Sequence, residues 1–298
     1  MFTLRVPASS ANLGPGFDAL GLALGVYLTC RFRRSESLVI TTSGRDSASI
    51  PSTADNLIWQ TALTVARDHR MTMPPIELHV HNEIPLGKGM GSSAAALTAG
   101  VVIADELLGL CWKPLRILDE AARLEGHPDN VAPCTLGSIV ASAIDSGGVT
   151  RAIRMELPKS FDIAVVVPDF DLPTVKARSV LPSGYSREDA VFNVQRASLL
   201  IAALATGTTN AFPAALEDRF HQPYREALVP GLHEILRLRA PGLLGCVLSG
   251  AGPSILVFFE RGYDGVCELV RQIFRMHGHE SETLHCQIPE RGFELTRE

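Results

Sequence analysis

Apolar and polar side chains alternate through "PIELHVHNEIP" (75–85), with Ile76, Leu78 and Val80 on one face and Glu77, His79 and His81 on the other. That period of two predicts a half-buried strand ending at Pro85. In "ADNLIWQTALTVARDHR" (54–70) the period lengthens to that of an amphipathic helix, opened by Asp55 or Asn56. An Ala/Leu/Val-rich helix is expected from Ser92 to about Leu110, and another in "KPLRILDEAARLE" (113–125). The opening residues read as a short strand, a Gly/Pro/Ser/Asn loop and a second apolar stretch. Further strands are expected in "YLTCRF" (27–32), "ESLVITTS" (36–43), "GSIVASAI" (137–144) and "FDIAVVVPD" (161–169). The second half predicts helices near 186–206, 213–228 and 231–240, then two strands around a Gly/Pro turn in "GLLGCVLSGAGPSILVFFE" (242–260). A helix over 265–277 and a last strand near "TLHCQI" (283–288) follow. Strands and helices alternate irregularly, so the pattern predicts an α+β fold rather than a doubly wound sheet. A boundary within 150–160 would divide 1–155 from 156–298.

Between the alternating strand and the alanine-rich helix stands "PLGKGMGSSAAAL" (85–97). Three alternate glycines are conformationally costly unless the backbone must reach positive φ or a ligand must approach the main chain. Gly87, Gly89 and Gly91 let successive N–H groups turn inward as an anion-binding concavity. The helix from Ser92 adds its unpaired first-turn amides and positive dipole end. Ser92 and Ser93 bring hydroxyls for phosphate oxygens or Mg²⁺. The loop is not a Walker A motif, because Lys88 sits between glycines, nor a G-x-G-x-x-G fingerprint. Glu125 stands in the last turn of its helix, against the negative dipole end, a place that suits a carboxylate best when a cation lies beside it.

Composition narrows the field. The chain has 298 residues, 46% of them hydrophobic and 20% charged, enough for one large domain or two ordinary ones. A formal net charge of −5 leaves no footprint for nucleic acid, and no apolar run is long enough for a membrane span. Nothing at the N-terminus reads as a signal peptide. Six cysteines without C-x-x-C spacing read as buried reduced thiols of a cytoplasmic protein. His79 and His81 have H-x-H spacing but no third ligand, and are read as an exposed sheet face. Asp169 and Asp171 are read as loop residues after a strand.

The segment "PLGKGMGSSAA" resembles the P-x-x-x-G-[LM]-G-S-S-A-A nucleotide loop of the GHMP superfamily of galactokinases, homoserine kinases, mevalonate kinases and phosphomevalonate kinases. "VPASSANLGPGFDALGLAL" (6–24) and "LSGAGPSILVF" (248–258) are similar to its N- and C-terminal motifs, in the same order. Through "SANLGPGFD", "NLIWQTA" and "EGHPDNVAP" the chain is most similar to the homoserine kinase family. The resemblance implies an N-terminal domain similar to ribosomal protein S5 domain 2 and a C-terminal ferredoxin-like domain, with the active site between them. It implies ATP-dependent phosphorylation of the side-chain hydroxyl of L-homoserine, on the route to threonine. Nucleotide contacts would come from Asn56 and from Pro85, Leu86, Gly87, Lys88, Gly89, Met90, Gly91, Ser92, Ser93, Ala94 and Ala95. Mg²⁺ would be held by Ser93 and Glu125. Arg178 and Arg225 would grip the α-carboxylate, with Asp18 and Asn12 facing the amino and hydroxyl groups. His127, Asn130, Thr174 and Gly250 would complete the pocket. Where other members of the superfamily carry an aspartate base beside a Lys or Arg, this chain has Asn130 and Ser9. Asp129, one step along, is expected to point elsewhere. The implied chemistry therefore has no protein base, with Lys88 and the loop offsetting charge. A kinase for another small alcohol, such as mevalonate or shikimate, and a non-catalytic sensor are the alternative readings. A homodimer is left open.

Overall fold

The computed structural model describes residues 1–158 and 160–297 and is a mixed α+β structure built on two sheets. The first half contributes β1 (Phe2–Ala11), β2 (Leu20–Arg34), β3 (Val39–Gly44), α1 (Leu57–Asp68), β4 (Ile76–Asn82), α2 (Ser92–Leu108), α3 (Pro114–Glu125), α4 (Val131–Leu136), β5 (Ile139–Ile144) and β6 (Thr150–Met155). After these come β7 (Asp162–Pro168), α5 (Thr174–Ser179), α6 (Arg187–Thr206), α7 (Phe212–Ala215), α8 (Gln222–Arg225) and α9 (Leu232–Leu236). The chain finishes with β8 (Leu243–Leu248), β9 (Ile255–Phe259), α10 (Val266–Met276), β10 (Ser281–Cys286) and β11 (Glu294–Arg297).

The larger sheet runs β11-β1-β2-β4-β3, with β5 paired to β2 and β6 to β5; β3 and β4 are parallel and the other pairs antiparallel. The smaller sheet runs β10-β7-β9-β8, all antiparallel. Helix α2 is buried along most of its length, from Ala94 to Leu107. Its Ala/Val/Ile composition suits a helix enclosed on nearly every side. Helix α1 is opened by Asn56, whose Oδ1 accepts from the Ile58 amide at 3.0 Å. Helix α3 has Pro114 at its start and Gly126 at φ 90° beyond its end, the backbone asymmetry favoured at helix termini. Among the described residues no helix is long and apolar enough to cross a membrane.

Four differences from the pattern-based expectations have physical causes. The stretches around Leu20 and Tyr27 are one 15-residue strand, kept continuous by a register shift opposite Pro7/Ala8. Residues 150–155, expected as a connection, pair with β5 as an extra strand. The helix expected over 213–228 breaks up because the buried Asp218 carboxylate accepts from the amides of Phe220, His221 and Gln222 at 2.8, 3.0 and 2.7 Å. Those bonds end one turn and start another, as a helix cap does. Finally, the C-terminal residues Glu294–Arg297 return to pair with β1. Of the six cysteines, all free, Cys111 is exposed rather than buried.

Candidate active site

The glycine loop carries its carbonyls and its amides on opposite sides. The carbonyl of Gly87 accepts from the Leu172 amide at 3.3 Å, that of Lys88 from Ser254 N at 3.3 Å, and that of Met90 from Ser9 N at 3.1 Å. Ser249 Oγ donates to the Gly89 carbonyl at 2.7 Å. Every carbonyl from 87 to 90 is thus anchored to the scaffold. Among the described residues, no group accepts from the amides of Gly87, Lys88, Gly89, Met90 or Gly91. Backbone donors rarely stay unpaired in a folded chain. Here they adjoin the free first-turn amides of α2, whose N-cap Gly91 lies at φ 66°. The arrangement is a nest for an anion of several oxygens.

Beside the loop opens a cleft of about 140 Å³, between the β1–β2 loop, the start of α4, the segment leading into α5, and the β8–β9 turn. Its positive wall is Arg225, only 1% exposed. Arg225 Nε donates to Ala177 O at 3.1 Å, and Nη1 donates to Gly250 O at 3.1 Å and to His221 Nδ1 at 2.9 Å. The Nη2 edge has no acceptor among the described residues. Burial, with Arg178 nearby, pulls this guanidinium down to about 10. A buried cation with an unused edge calls for an anionic ligand.

Arg178 differs. Although burial works against its charge, a bidentate bond to Asp18 (2.7 and 3.3 Å) holds it above the ordinary arginine value. Asn12 orders this corner: its Nδ2 donates to Gly250 O at 2.9 Å and its Oδ1 accepts from the Asp18 amide at 3.0 Å. Ligand atoms of Asp18, His127 and Asp129 all lie within 4.8 Å of one another. His127 Nδ1 bonds Asp129 at 2.7 Å, and that bond raises the imidazole above its usual range. Glu125, lining the same cleft from the end of α3, forms no ion pair among the described residues. Its half-buried carboxyl is pushed upward chiefly by desolvation.

Residues 56–138 match the GHMP kinases N-terminal domain and residues 200–265 the GHMP kinases C-terminal domain. The chain is 87% identical to the homoserine kinase of Solibacter usitatus, over 99% of this chain and 97% of that protein. It belongs to the GHMP kinase family, in the homoserine kinase branch. Identity with the homoserine kinase of Deinococcus radiodurans is 45%, covering 87% of this chain and 85% of the relative. The crystal structure of homoserine kinase from Cytophaga hutchinsonii superposes with a TM-score of 0.85 at 26% identity, covering 99% of this chain and 97% of that one.

Within this GHMP kinase, the loop residues Gly87, Gly89 and Met90 to Ala94 line the cleft, joined by Asn12, Glu125, His127, Asn130, Thr174, Arg178, Arg225 and Gly250. Pro85, Leu86, Lys88 and Ala95 belong to the loop without lining that cavity. Asn56 lies away from it, with both ends of its amide used: Oδ1 caps α1, and Nδ2 donates to Pro51 O at 2.7 Å. Trp59 is in the core. Lys88 Nζ is held 2.8 Å from Asp171, which gives that loop aspartate a partner in the nucleotide segment. Asn130 Oδ1 accepts from Ser9 Oγ at 2.9 Å. Asp129 corrects the expectation: it lines the cleft rather than pointing elsewhere. His79 and His81 are engaged by Thr41 and Ser43 hydroxyls on the sheet face. Phe17 and Ala251, inside the N- and C-terminal motifs, and Leu172 and Pro173, outside any motif, also line the cleft and carried no further signal in the sequence.

Proposed function

We propose that the chain is an ATP-dependent homoserine kinase, transferring the γ-phosphoryl group to the side-chain hydroxyl of L-homoserine to give O-phospho-L-homoserine. The observation that carries this reading is the adjacency of two features unmatched among the described residues: a row of amides on the glycine loop, and the Nη2 edge of buried Arg225. The amides suit a polyphosphate, and the guanidinium edge suits a carboxylate. Asp18 and Asp129 offer carboxylate oxygens as acceptors for an ammonium beside their bonds to Arg178 and His127. An amino acid with a terminal hydroxyl meets each requirement of the cleft.

The residues fit a magnesium ion. Among the described residues Glu125 is a carboxylate in no ion pair, and Ser93 offers a hydroxyl without a protein partner on the first turn of α2. Both are hard oxygen donors. When bound, the ion neutralises charge on the β- and γ-phosphates. The chain itself does the rest. The loop amides cradle the phosphates, and Lys88 adds a positive charge from between the glycines. Arg225 fixes the carboxylate end of the acceptor, so that its hydroxyl lies at the loop. Asn130 cannot take a proton, because an amide is not a base at neutral pH. With the Asp129 carboxylate engaged by His127, the hydroxyl proton leaves late, to the phosphoryl oxygens. The bond to Asp129 raises His127 above its usual range and so favours the form in which the imidazole donates. A cytoplasmic address accords with six free thiols.

An ADP-release assay with Mg-ATP and L-homoserine, mevalonate, shikimate or galactose tests the reading. Turnover confined to homoserine supports it, and faster turnover of another alcohol overturns it.

A further inference from the structure

Behind Arg225, away from the cleft, lies a histidine with both ring nitrogens committed. His221 is fully buried. Its Nδ1 meets Arg225 Nη1 at 2.9 Å and its Nε2 meets the Gly14 carbonyl at 2.8 Å. Arginine can only donate and a carbonyl can only accept, so the single ring proton sits on Nε2 and the Nδ1 lone pair faces the guanidinium. The Phe17 ring closes the arrangement, 5.3 Å from the imidazole and 5.9 Å from the guanidinium carbon. The backbone of His221 is fixed in turn by the buried Asp218, which accepts from its amide.

Arg225 therefore spends Nε and both Nη1 hydrogens on three acceptors, of which His221 is the only side chain. Three bonds fix the guanidinium of this cleft-lining residue, and Nη2 keeps no acceptor among the described residues. We propose that His221 is a positioning residue for acceptor recognition: its Nδ1 holds Arg225 so that the Nη2 edge presents its hydrogens to the acceptor's carboxylate. The proposal rests on the homoserine reading above. The charged groups facing the imidazole are Asp218 (3.5 Å from Nε2), Arg225, and Asp18 in the β1–β2 loop. Burial outweighs the two carboxylates and keeps the ring neutral, the form in which Nδ1 can accept.

The test compares L-homoserine with 3-aminopropan-1-ol, the same alcohol without its carboxylate, in wild type, His221→Leu and His221→Asn. Leucine removes the acceptor, so KM for homoserine should rise about 30-fold, the scale of one hydrogen bond to a charged group. KM for ATP should stay within about twofold, and kcat/KM for 3-aminopropan-1-ol should not change, because no carboxylate interaction remains to be lost. Asparagine keeps an acceptor near the Nδ1 position and should recover most of the homoserine KM. Equal losses on both acceptors, or no rise in homoserine KM, overturn the proposal while wild type still prefers homoserine. A wild type indifferent to the carboxylate overturns the homoserine reading itself, and the proposal with it. Should His221→Leu fail to fold, nitrogen-15 spectra of the wild-type imidazole decide: an Nε2–H tautomer at neutral pH supports the proposal, and a protonated Nδ1 refutes it.

Discussion

Gly87 and Gly89 share one backbone conformation, with φ 68° and 75°, yet their surroundings differ. A Cβ added at Gly87 would meet nothing nearer than the Asp171 side chain at 3.6 Å. At Gly89 it would lie 2.2 Å from the Ser249 carbonyl oxygen and 2.7 Å from that of Gly252, both backbone atoms. Alanine at 87 thus pays only for left-handed φ, about 1–2 kcal/mol of stability. Alanine at 89 pays the same and must also open the contact by more than about 1 Å. The turn that has to move carries Gly250, whose carbonyl holds both Asn12 and Arg225. A displacement of that size between reacting groups lowers turnover about 100-fold. Thermal unfolding and kcat/KM for Mg-ATP at saturating homoserine measure the two effects separately. Gly87→Ala should lose stability with activity within about tenfold, whereas Gly89→Ala should lose about 100-fold or more. Equal activity losses in the two variants would refute the claim that the loop's fit against the β8–β9 turn sets its geometry.

Other consequences follow from single side chains. Glu125→Gln should raise the Mg²⁺ concentration for half-maximal activity more than about tenfold, since a carboxylate ligand is lost. Because burial lifts the Glu125 pKa above its ordinary 4.5, Mg²⁺-dependent activity should fall as pH drops through that raised value rather than through 4.5; a pH profile under limiting Mg²⁺ checks it. His127 should titrate above its ordinary 6.5, and Asp129→Asn should bring that midpoint down. The stability from this pair is fully present below the unfolded pKa and disappears as pH rises through the folded one, which NMR titration and unfolding at several pH values would follow. Asp171→Asn should alter KM for ATP while changing stability by less than about 1 kcal/mol, because Asp171 is 71% exposed and an exposed ion pair contributes little.

Much of the fold was legible where periodicity was long. The strand at 76–82, α1, α2, α3 and α10 lie within a few residues of the positions that alternation and helical spacing indicate. Four-residue β11 is too short to carry a period, and its pairing with β1 is a contact across nearly the whole chain. The 213–228 region misled because its helical pattern is overridden by Asp218, a tertiary effect invisible to local propensity. The site was legible through the glycine loop, whose composition has one economical physical reading. The single step along the chain from Asn130 does not turn Asp129 away from the cleft. Asn130 sits at φ −91°, ψ −44°, the entry to α4, where neighbouring side chains can share a cleft. Nor could the sequence reveal that Arg178 is held bidentately by Asp18, whereas Arg225 keeps its Nη2 without an acceptor among the described residues.

The account depends most on the amides of the glycine loop. A crystal structure with Mg²⁺ and a non-hydrolysable ATP analogue examines them directly. It should place β- and γ-phosphate oxygens within about 2.7–3.2 Å of amide nitrogens between Gly87 and Ser93. Phosphates bound elsewhere, with those amides turned to solvent or to the protein's own side chains, would contradict it.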